Sequence, residues 1–241
     1  MDVDPHNGGG RTLSPAQAVA LDGHGVVYSR RREVADALAD SLHSLGKLRL
    51  SPGEAKSLYL SLQERAFAGE ITYDVMLTEF ARRLGLPPSD GASRLHAWIQ
   101  SFSADIVVDP DLPGVLADLR SRGVTVGMVT NSIHPAHVKQ EWLHQAGIAH
   151  LFDLIMSSVD ERCRKPDPEI FRRFTAQVSL PPERTVFVGH DVAEVEGAKK
   201  AGMITICLRC SSPQGDYTVG RLAEVVDLPV WPSQTREKKE E

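Results

Sequence analysis

The sequence predicts an α/β protein with a doubly wound parallel sheet and an inserted four-helix cap. Two patterns lead to this prediction. Over most of the chain, short apolar segments alternate with amphipathic helical stretches, which favours right-handed strand–helix–strand units and therefore parallel strands. Between about residues 33 and 102 the alternation stops, and this stretch shows helical periodicity without a convincing strand.

Five short segments have the composition of buried parallel strands, because they are apolar, rich in β-branched residues and followed by Gly, Asp, Ser or Thr. They are residues 16–21, 124–129, 154–156, 186–188 and 204–208. In sheets of this kind ligands bind at the carboxyl ends of the strands. The residues that follow these segments are therefore the first candidates for a functional site.

Helical stretches lie between the predicted strands, and each has apolar residues on one face. The core faces are marked by Leu116 and Leu119, by Val138, Trp142, Leu143 and Ala146, by Ile170, Phe171, Phe174 and Val178, and by Val192, Val195 and Ala198. The stretch without strands has four such faces, marked by Val34, Leu38, Leu42 and Leu45, by Leu58 and Leu62, by Leu77, Phe80, Ala81 and Leu84, and by Leu95, Trp98, Ile99 and Phe102. We therefore expect an α/β core at residues 15–30 and 105–228, with a helical cap at residues 31–104.

Composition narrows the class of protein. The chain has 241 residues, a formal net charge of -5 and 41% hydrophobic residues, typical of a globular protein with no general affinity for nucleic acid or anionic membranes. No apolar run approaches the roughly 20 residues that span a bilayer, and the N-terminus does not resemble a signal peptide. We therefore expect a cytoplasmic protein. Residues 1–14 and 229–241 are polar and lack periodicity, so both ends are predicted to be disordered.

The three cysteines do not form the pattern of a disulfide framework. Cys207 and Cys210 have CxxC spacing, but no second ligand pair follows them, and Cys207 ends an apolar run. We interpret them as buried or incidental thiols rather than as a redox or metal site.

Polar residues at the strand ends have the chemistry of phosphoryl transfer. Asp22 ends the first predicted strand, Thr130 and Asn131 end the second, and Lys165 follows the third within residues 165–171 (KPDPEIF). A carboxylate can attack a phosphoryl group, while a hydroxyl and an ammonium bind the phosphoryl oxygens. The fourth strand ends at Gly189, His190 and Asp191, which adds further polar groups to the same edge of the sheet.

These motifs, together with residues 196–203 (EGAKKAGM), resemble the haloacid dehalogenase superfamily over about residues 16–208. The resemblance implies a Rossmann-like core with a cap after the first motif, and hydrolysis of a small phosphorylated metabolite by a monomer or homodimer. Asp22 matches the nucleophile, and Lys165 matches the lysine of the third motif. Thr130 and Asn131 match the second motif, and backbone N–H groups near Gly23 match the remainder of the phosphate site.

The resemblance also implies a divalent cation, Mg²⁺ in most of the superfamily, with Mn²⁺, another transition metal or no metal as alternatives. The expected ligands are Asp22 and Asp191, with His190 and Glu194 as further candidates. Asp191 also has a purely structural alternative, in which it caps the following helix and binds no metal.

Two positions depart from the superfamily pattern. His24 stands where a second Asp normally serves as general acid and base, and His190 stands where the fourth motif normally has an Asp. The later acidic position of that motif also departs from the pattern, because it aligns with Val195, next to Glu194.

Three interpretations of these departures stay open. In the first, the site is active: His24 acts as acid and base, and Asp191 or Glu194 supplies the missing carboxylate. In the second, the protein binds a phosphorylated ligand or a partner without turnover. In the third, it is a metal-independent hydrolase of the dehalogenase type. The basic run Arg30–Arg32 could meet an anionic substrate or form a solvated turn.

Overall fold

The computed structural model describes residues 14–41, 48–210 and 215–233. Within these residues the strands are β1 (Ala18–Asp22), β2 (Tyr28–Arg30), β3 (Ile106–Val108), β4 (Thr125–Thr130), β5 (Leu154–Ser157), β6 (Thr185–Gly189), β7 (Ile204–Leu208) and β8 (Tyr217–Val219). The helices are α1 (Val34–Ser41), α2 (Pro52–Phe67), α3 (Tyr73–Leu84), α4 (Gly91–Ser103), α5 (Leu112–Ser121), α6 (Ala136–Gln145), α7 (Ser158–Glu161), α8 (Pro168–Gln177) and α9 (Val192–Lys200). Short 3₁₀ turns lie at Ala149–Leu151, Pro182–Arg184 and Leu222–Asp227.

Six of the described strands form one parallel sheet in the order β5-β4-β1-β6-β7-β8. Strand β1 (AVALD) is buried along its whole length because it lies between β4 and β6. Consecutive side chains of a strand point to opposite faces. Leu21 packs in the cluster that includes Leu116 and Leu119 of α5, whereas Ala20 packs with Phe171 and Phe174 of α8. Helices therefore cover both faces, which confirms the predicted doubly wound α/β fold.

Helices α1 to α4, which we call the helical insertion, follow β2 and precede β3. Their buried residues form a separate apolar cluster around Tyr59 and Phe80, whose ring centroids are 5.7 Å apart. Local signals in the sequence set the helix ends. Ser51 and Glu54 form a capping box at the start of α2, an arrangement that typically contributes about 1 kcal/mol. Gly85 ends α3 with a φ of 81°, which glycine adopts without strain.

The chain enters and leaves the helical insertion through a two-stranded ribbon. Strands β2 and β3 pair in antiparallel fashion, with Tyr28 opposite Val108 and Arg30 opposite Ile106. The sequence did not predict these strands or β8, because three residues are too few to establish a period of two. The ribbon begins at Tyr28, six residues after the end of β1, so the chain enters the insertion close to the predicted nucleophile.

The prediction that the tail is disordered from residue 229 was wrong for its described part. Val230 and Trp231 are buried, and the indole Nε1 of Trp231 donates a hydrogen bond of 2.6 Å to the carbonyl of Val225. The amide of Ala16 donates to the carbonyl of Val230 at 2.8 Å, so this segment lies beside the start of β1. An indole buries a large apolar area without needing a periodic pattern. Residues 1–13 and 234–241 lie outside the described part of the chain.

The prediction of two thiols at Cys207 and Cys210 was also wrong, because these cysteines are joined in a disulfide at the end of β7. Pairing across CxxC spacing needs a turn directly after the strand. Arg209 supplies that turn with a φ of 60°. In the described residues, none of the helices has both the length and the apolar content needed to cross a bilayer.

Candidate active site

The parallel sheet brings the predicted nucleophile and lysine into direct contact. Asp22 ends the central strand β1 and is 4% exposed, and the Nζ of Lys165 contacts its Oδ1. Lys165 follows α7 and is also buried. Thr130 ends the neighbouring strand β4 and is buried beside them. The sequence analysis expected these three side chains at one sheet edge, and the structure places them there.

Asn131 holds Lys165 in place through its backbone. The Nδ2 of Asn131 donates to the carbonyl of Lys165 at 3.0 Å, and the amide of Lys165 donates to Asn131 Oδ1 at 2.9 Å. These two hydrogen bonds use both the NH₂ group and the carbonyl oxygen of the Asn131 side chain. Asn131 was predicted to bind substrate, and its contacts show that it also positions the lysine.

Glu194 is the second carboxylate on Lys165. Its Oε2 lies 2.7 Å from the Nζ, so the two groups form a close ion pair. Burial raises the pKa of Glu194, and the ammonium of Lys165 opposes that effect without cancelling it. The alignment of this position with Val195 was wrong, because Val195 is fully buried in the apolar cluster beneath α9.

Opposing effects keep the Asp22–Lys165 pair ionised. Burial alone would raise the pKa of Asp22, but the charge of Lys165 and a hydrogen bond from His190 outweigh it, so this pKa is lowered. Burial likewise disfavours the ammonium of Lys165, whereas Asp22 and Glu194 favour it, and the pKa of Lys165 is raised. An ionised and positioned carboxylate at a strand end can act as a nucleophile.

His190 occupies the other oxygen of the nucleophile. Its Nδ1 lies 3.1 Å from Asp22 Oδ2, and this hydrogen bond raises the pKa of His190. The ring packs against Gly25, where a Cβ atom would collide with it. Gly25 also has a φ of 92°, so both its conformation and its neighbour require glycine. Gly23 is similarly confined, because a Cβ there would lie 2.7 Å from the Thr130 hydroxyl oxygen.

His24 lines the same cavity as Asp22 and is paired with a residue that the sequence analysis missed. Its Nε2 lies 3.0 Å from Oε1 of Glu33, which lies between β2 and α1. Burial lowers the pKa of His24, and the charge of Glu33 partly offsets this effect. No motif marks Glu33, since it lies in a charged run before the insertion.

Asp191, a predicted metal ligand, lies at the rim and caps α9. Its Oδ1 accepts hydrogen bonds from the amides of Ala193 at 2.8 Å and Glu194 at 3.2 Å. The structure therefore supports the structural alternative for Asp191, in which it caps α9 rather than binding a metal.

The donor set around Asp22 does not fit Mg²⁺. Mg²⁺ prefers an octahedron of oxygen ligands, but both Asp22 oxygens contact cationic or N–H donors, and an imidazole stands where a third oxygen would be needed. Among the described residues, no group of three or more His, Cys, Asp or Glu side chains is arranged to hold a metal. An imidazole with carboxylates suits a transition metal better.

The three arginines of the basic run have different environments. The side chain of Arg30 is only 14% exposed, and its Nε donates to the carbonyl of Ser103 at 3.4 Å. Arg31 and Arg32 are exposed. One arginine therefore lines the cavity, and the other two form the solvated turn.

A buried carboxylate held between an ammonium and an imidazole lies at the carboxyl edge of the parallel sheet, which is where doubly wound α/β proteins bind their ligands. Residues 16–202 match the haloacid dehalogenase-like hydrolases. The chain therefore belongs to the haloacid dehalogenase-like hydrolase family.

Named relatives and solved structures agree with this assignment. The chain is 26% identical over 227 residues to a glyceraldehyde 3-phosphate phosphatase of Methanopyrus kandleri, covering 88% of this chain and 96% of the relative. It is 33% identical over 123 residues to a phosphoserine phosphatase of Thermus thermophilus, covering 48% of this chain and 49% of that one. A crystal structure of a 2-haloacid dehalogenase from Pseudomonas syringae superposes with a TM-score of 0.70 at 16% identity, over 88% of this chain and 97% of the other. The last likeness shows the fold alone.

Proposed function

We propose that this protein is a phosphatase that hydrolyses a small phosphorylated metabolite through an aspartyl-phosphate at Asp22. The single observation that carries the proposal is the buried contact of Asp22 with Lys165, which keeps the carboxylate ionised beside a cation suited to a phosphoryl oxygen. The names of the two phosphatase relatives support the same class of reaction.

In the first step, a carboxylate oxygen of Asp22 attacks phosphorus. An O–P bond to Asp22 forms as the bond between phosphorus and the leaving oxygen breaks, and that oxygen takes a proton from the His24 imidazolium. Lys165 and Thr130 offset the charge on the phosphoryl oxygens.

In the second step, the now neutral His24 accepts a proton from water, and the water oxygen attacks phosphorus. The bond to Asp22 breaks, so the products are inorganic phosphate and the free carboxylate. Glu33 holds the imidazole through its 3.0 Å contact, and its charge favours the protonated form needed in the first step.

No step in this scheme passes through a metal. The family resemblance implies Mg²⁺, but the donors around Asp22 do not fit that ion. The raised pKa of His190 favours an imidazolium against Asp22 Oδ2, and Lys165 lies on Oδ1. These two groups supply positive charge beside an incoming phosphate dianion.

The helical insertion supplies one wall of the site and acts as a cap in this proposal. Gln63 and Phe67 of α2 line the cavity of about 240 Å³ that also contains Asp22, Lys165 and His190. A cavity of this size can hold the phosphate and a short carbon skeleton of a small metabolite.

The test is phosphate release from an aryl phosphate, measured in EDTA and then with Mg²⁺, Mn²⁺, Co²⁺ or Zn²⁺. The variant Asp22→Asn should lose at least ~10³-fold in kcat. Asp90→Asn, an exposed aspartate at the start of α4, is the matched control and should retain full activity.

Full activity in Asp22→Asn would disprove the nucleophile. Phosphate-ester binding without release under any metal would favour the impaired, ligand- or partner-binding alternative. The dehalogenase alternative is favoured by the poor fit to Mg²⁺, and it predicts metal-free halide release from a 2-haloacid instead.

A further inference from the structure

A second lysine, Lys139 on α6, is buried without a carboxylate partner in the described part of the chain. It is 2% exposed, and its Nζ donates a hydrogen bond of 3.0 Å to the hydroxyl of Tyr28. The same Nζ lies 4.2 Å from the ring centroid of Trp142 and 5.5 Å from that of Tyr28. The Trp142 ring and the phenol oxygen of Tyr28 are therefore the nearest contacts that the structure describes for this ammonium.

An ammonium in this environment lacks the usual compensation for burial. Moving the charge out of water is costly unless an opposite charge and hydrogen-bond acceptors replace the water. Burial lowers the pKa of Lys139 well below its usual range and the charge of Arg30 lowers it further, while the charge of Asp22, which is not in contact with Lys139, opposes these effects without cancelling them. An ammonium has three N–H donors, of which Tyr28 accepts one. The site is therefore short of an anion.

Lys139 lines a cavity of about 260 Å³ between the core and the helical insertion. His24, Arg30 and Asn131 line both this cavity and the one that contains Asp22, so the two cavities adjoin along these side chains. A ligand with its phosphate at Asp22 can therefore extend towards Lys139.

The carboxylates that line this second cavity already have cationic partners. Glu33 lies 3.0 Å from His24 and 3.9 Å from Arg30, and Asp36 contacts Lys56. Both carboxylates are about half exposed, whereas Lys139 is buried. Among the described residues that line this cavity, Lys139 is therefore a buried cation with no carboxylate within ion-pairing distance.

We propose that Lys139, together with Tyr28 and Arg30, binds a carboxylate at the far end of the substrate from the phosphate. The inference rests on the proposed phosphatase function and deepens it, because it names the substrate class as small phosphorylated carboxylic acids. Two free N–H donors on Lys139 match the two oxygens of one carboxylate. The Tyr28 hydroxyl accepts the hydrogen bond from Lys139 and also interacts with Thr130, so it holds the ammonium beside the active-site strand end.

The test compares two substrates of equal length, phosphoglycolate and 2-hydroxyethyl phosphate, which differ in a carboxylate against a hydroxymethyl group. The wild type should prefer phosphoglycolate in kcat/KM. Lys139→Met keeps the length of the side chain without its charge, and it should lower this preference by roughly 10- to 100-fold, as expected for a lost charge-assisted hydrogen bond. Lys200→Met, at an exposed lysine of α9, is the matched control and should keep the preference.

Thermal unfolding separates a binding role from a structural one. If Lys139 awaits an anion, Lys139→Met removes an uncompensated charge, and the ligand-free Tm should equal or exceed that of the wild type. A lysine needed for folding would instead give a lower Tm and an equal loss on both substrates. That result would overturn the proposal, as would a wild type that treats both substrates alike.

Binding of the same two compounds, measured by calorimetry, distinguishes this inference from the proposed function. Selective binding of phosphoglycolate that depends on Lys139, without phosphate release, would support the anion site and disprove the phosphatase. Phosphate release without selectivity would disprove the anion site alone. Neither binding selectivity nor release would disprove both.

Discussion

Lys165 and Lys139 are both 2% exposed, yet the protein treats their charges in opposite ways. Lys165 contacts the carboxylates of Asp22 and Glu194, which raise its pKa. Lys139 has a phenol and aromatic rings around it, and burial lowers its pKa. Lys165 already has two carboxylate partners within the protein, whereas Lys139 has none in contact and would gain one from the carboxylate of a bound ligand.

The difference between the two lysines suits them to two roles, catalysis at Lys165 and substrate selection at Lys139. The network around Lys165 is assembled before any ligand arrives, so it suits a chemical step that needs fixed geometry. The end that contains Lys139 is stabilised only when an anion enters, so it suits selection among substrates. Comparing the two lysines by substitution is therefore the most direct way to examine this division.

The largest expected effect is on stability, from Lys165→Met. This change leaves Asp22 and Glu194 buried without their cation, and removal of one partner of a buried ion pair typically costs about 3–5 kcal/mol. Lys139→Met should show no such loss. Urea unfolding at pH 7 measures both variants, and equal free energies of unfolding would remove the distinction between the lysines.

The next largest effect is on the Mg²⁺ dependence of activity, and it tests the contact between His190 and Asp22. His190→Asp supplies an oxygen ligand beside Asp22 in place of an imidazole, so the variant should gain roughly 10-fold stimulation by Mg²⁺. The wild type should show little response to Mg²⁺. Phosphate release after EDTA treatment and Mg²⁺ addition measures this. A strong Mg²⁺ response in the wild type would contradict the poor fit described above.

A smaller effect is expected from Glu33→Gln, which removes the charge next to His24. Since Glu33 raises the pKa of His24, the variant should have a lower His24 pKa, and kcat should fall a few-fold through loss of the imidazolium. Titration of the His24 ring by NMR reports the shift directly. Glu70→Gln, at an exposed salt bridge of the insertion, serves as control. An unchanged His24 titration would show that Glu33 does not favour the protonated form of His24.

The smallest effect is the pH dependence of the His190–Asp22 contact. The folded protein raises the pKa of His190 above 6.5, so the contact stabilises fully below that value and weakens as pH rises through the folded pKa. His190→Asn should therefore lower stability more at pH 5.5 than at pH 8.5. The difference should stay below about 1 kcal/mol, because the ring is 40% exposed. Equal losses at both pH values would argue against a protonated His190.

Strand-end positions made much of the site predictable. Asp22 and Thr130 directly follow apolar runs that could only be buried strands, and parallel strands bring their ends together. Glu194 was harder to place, because Val195 is the next residue of the same helix and the two differ by about 100° around the axis. Only the packing of Val195 into the core shows which of them faces the cavity.

Lys139 could not be predicted, because the apolar face of its helix was assigned to the wrong residues. Val138 and Ala146 were expected on the buried face with Trp142 and Leu143, and the last two are buried as predicted, but the third buried residue of α6 is Lys139. These positions are separated by three and four residues, so they share one face. A lysine at such a position is normally read as solvent exposed, and only the packing around the cavity reveals the exception.

The ribbon of β2 and β3 has a consequence for how this chain can change over time. The chain leaves the core at Arg30 and returns at Ile106, and these residues are direct partners across the ribbon. A segment whose two ends lie side by side can be exchanged for another of different length without moving the strands that flank it. The sheet that carries Asp22 and the helical insertion that lines one wall of its cavity are joined through this ribbon, so the insertion can be replaced while the sheet is kept.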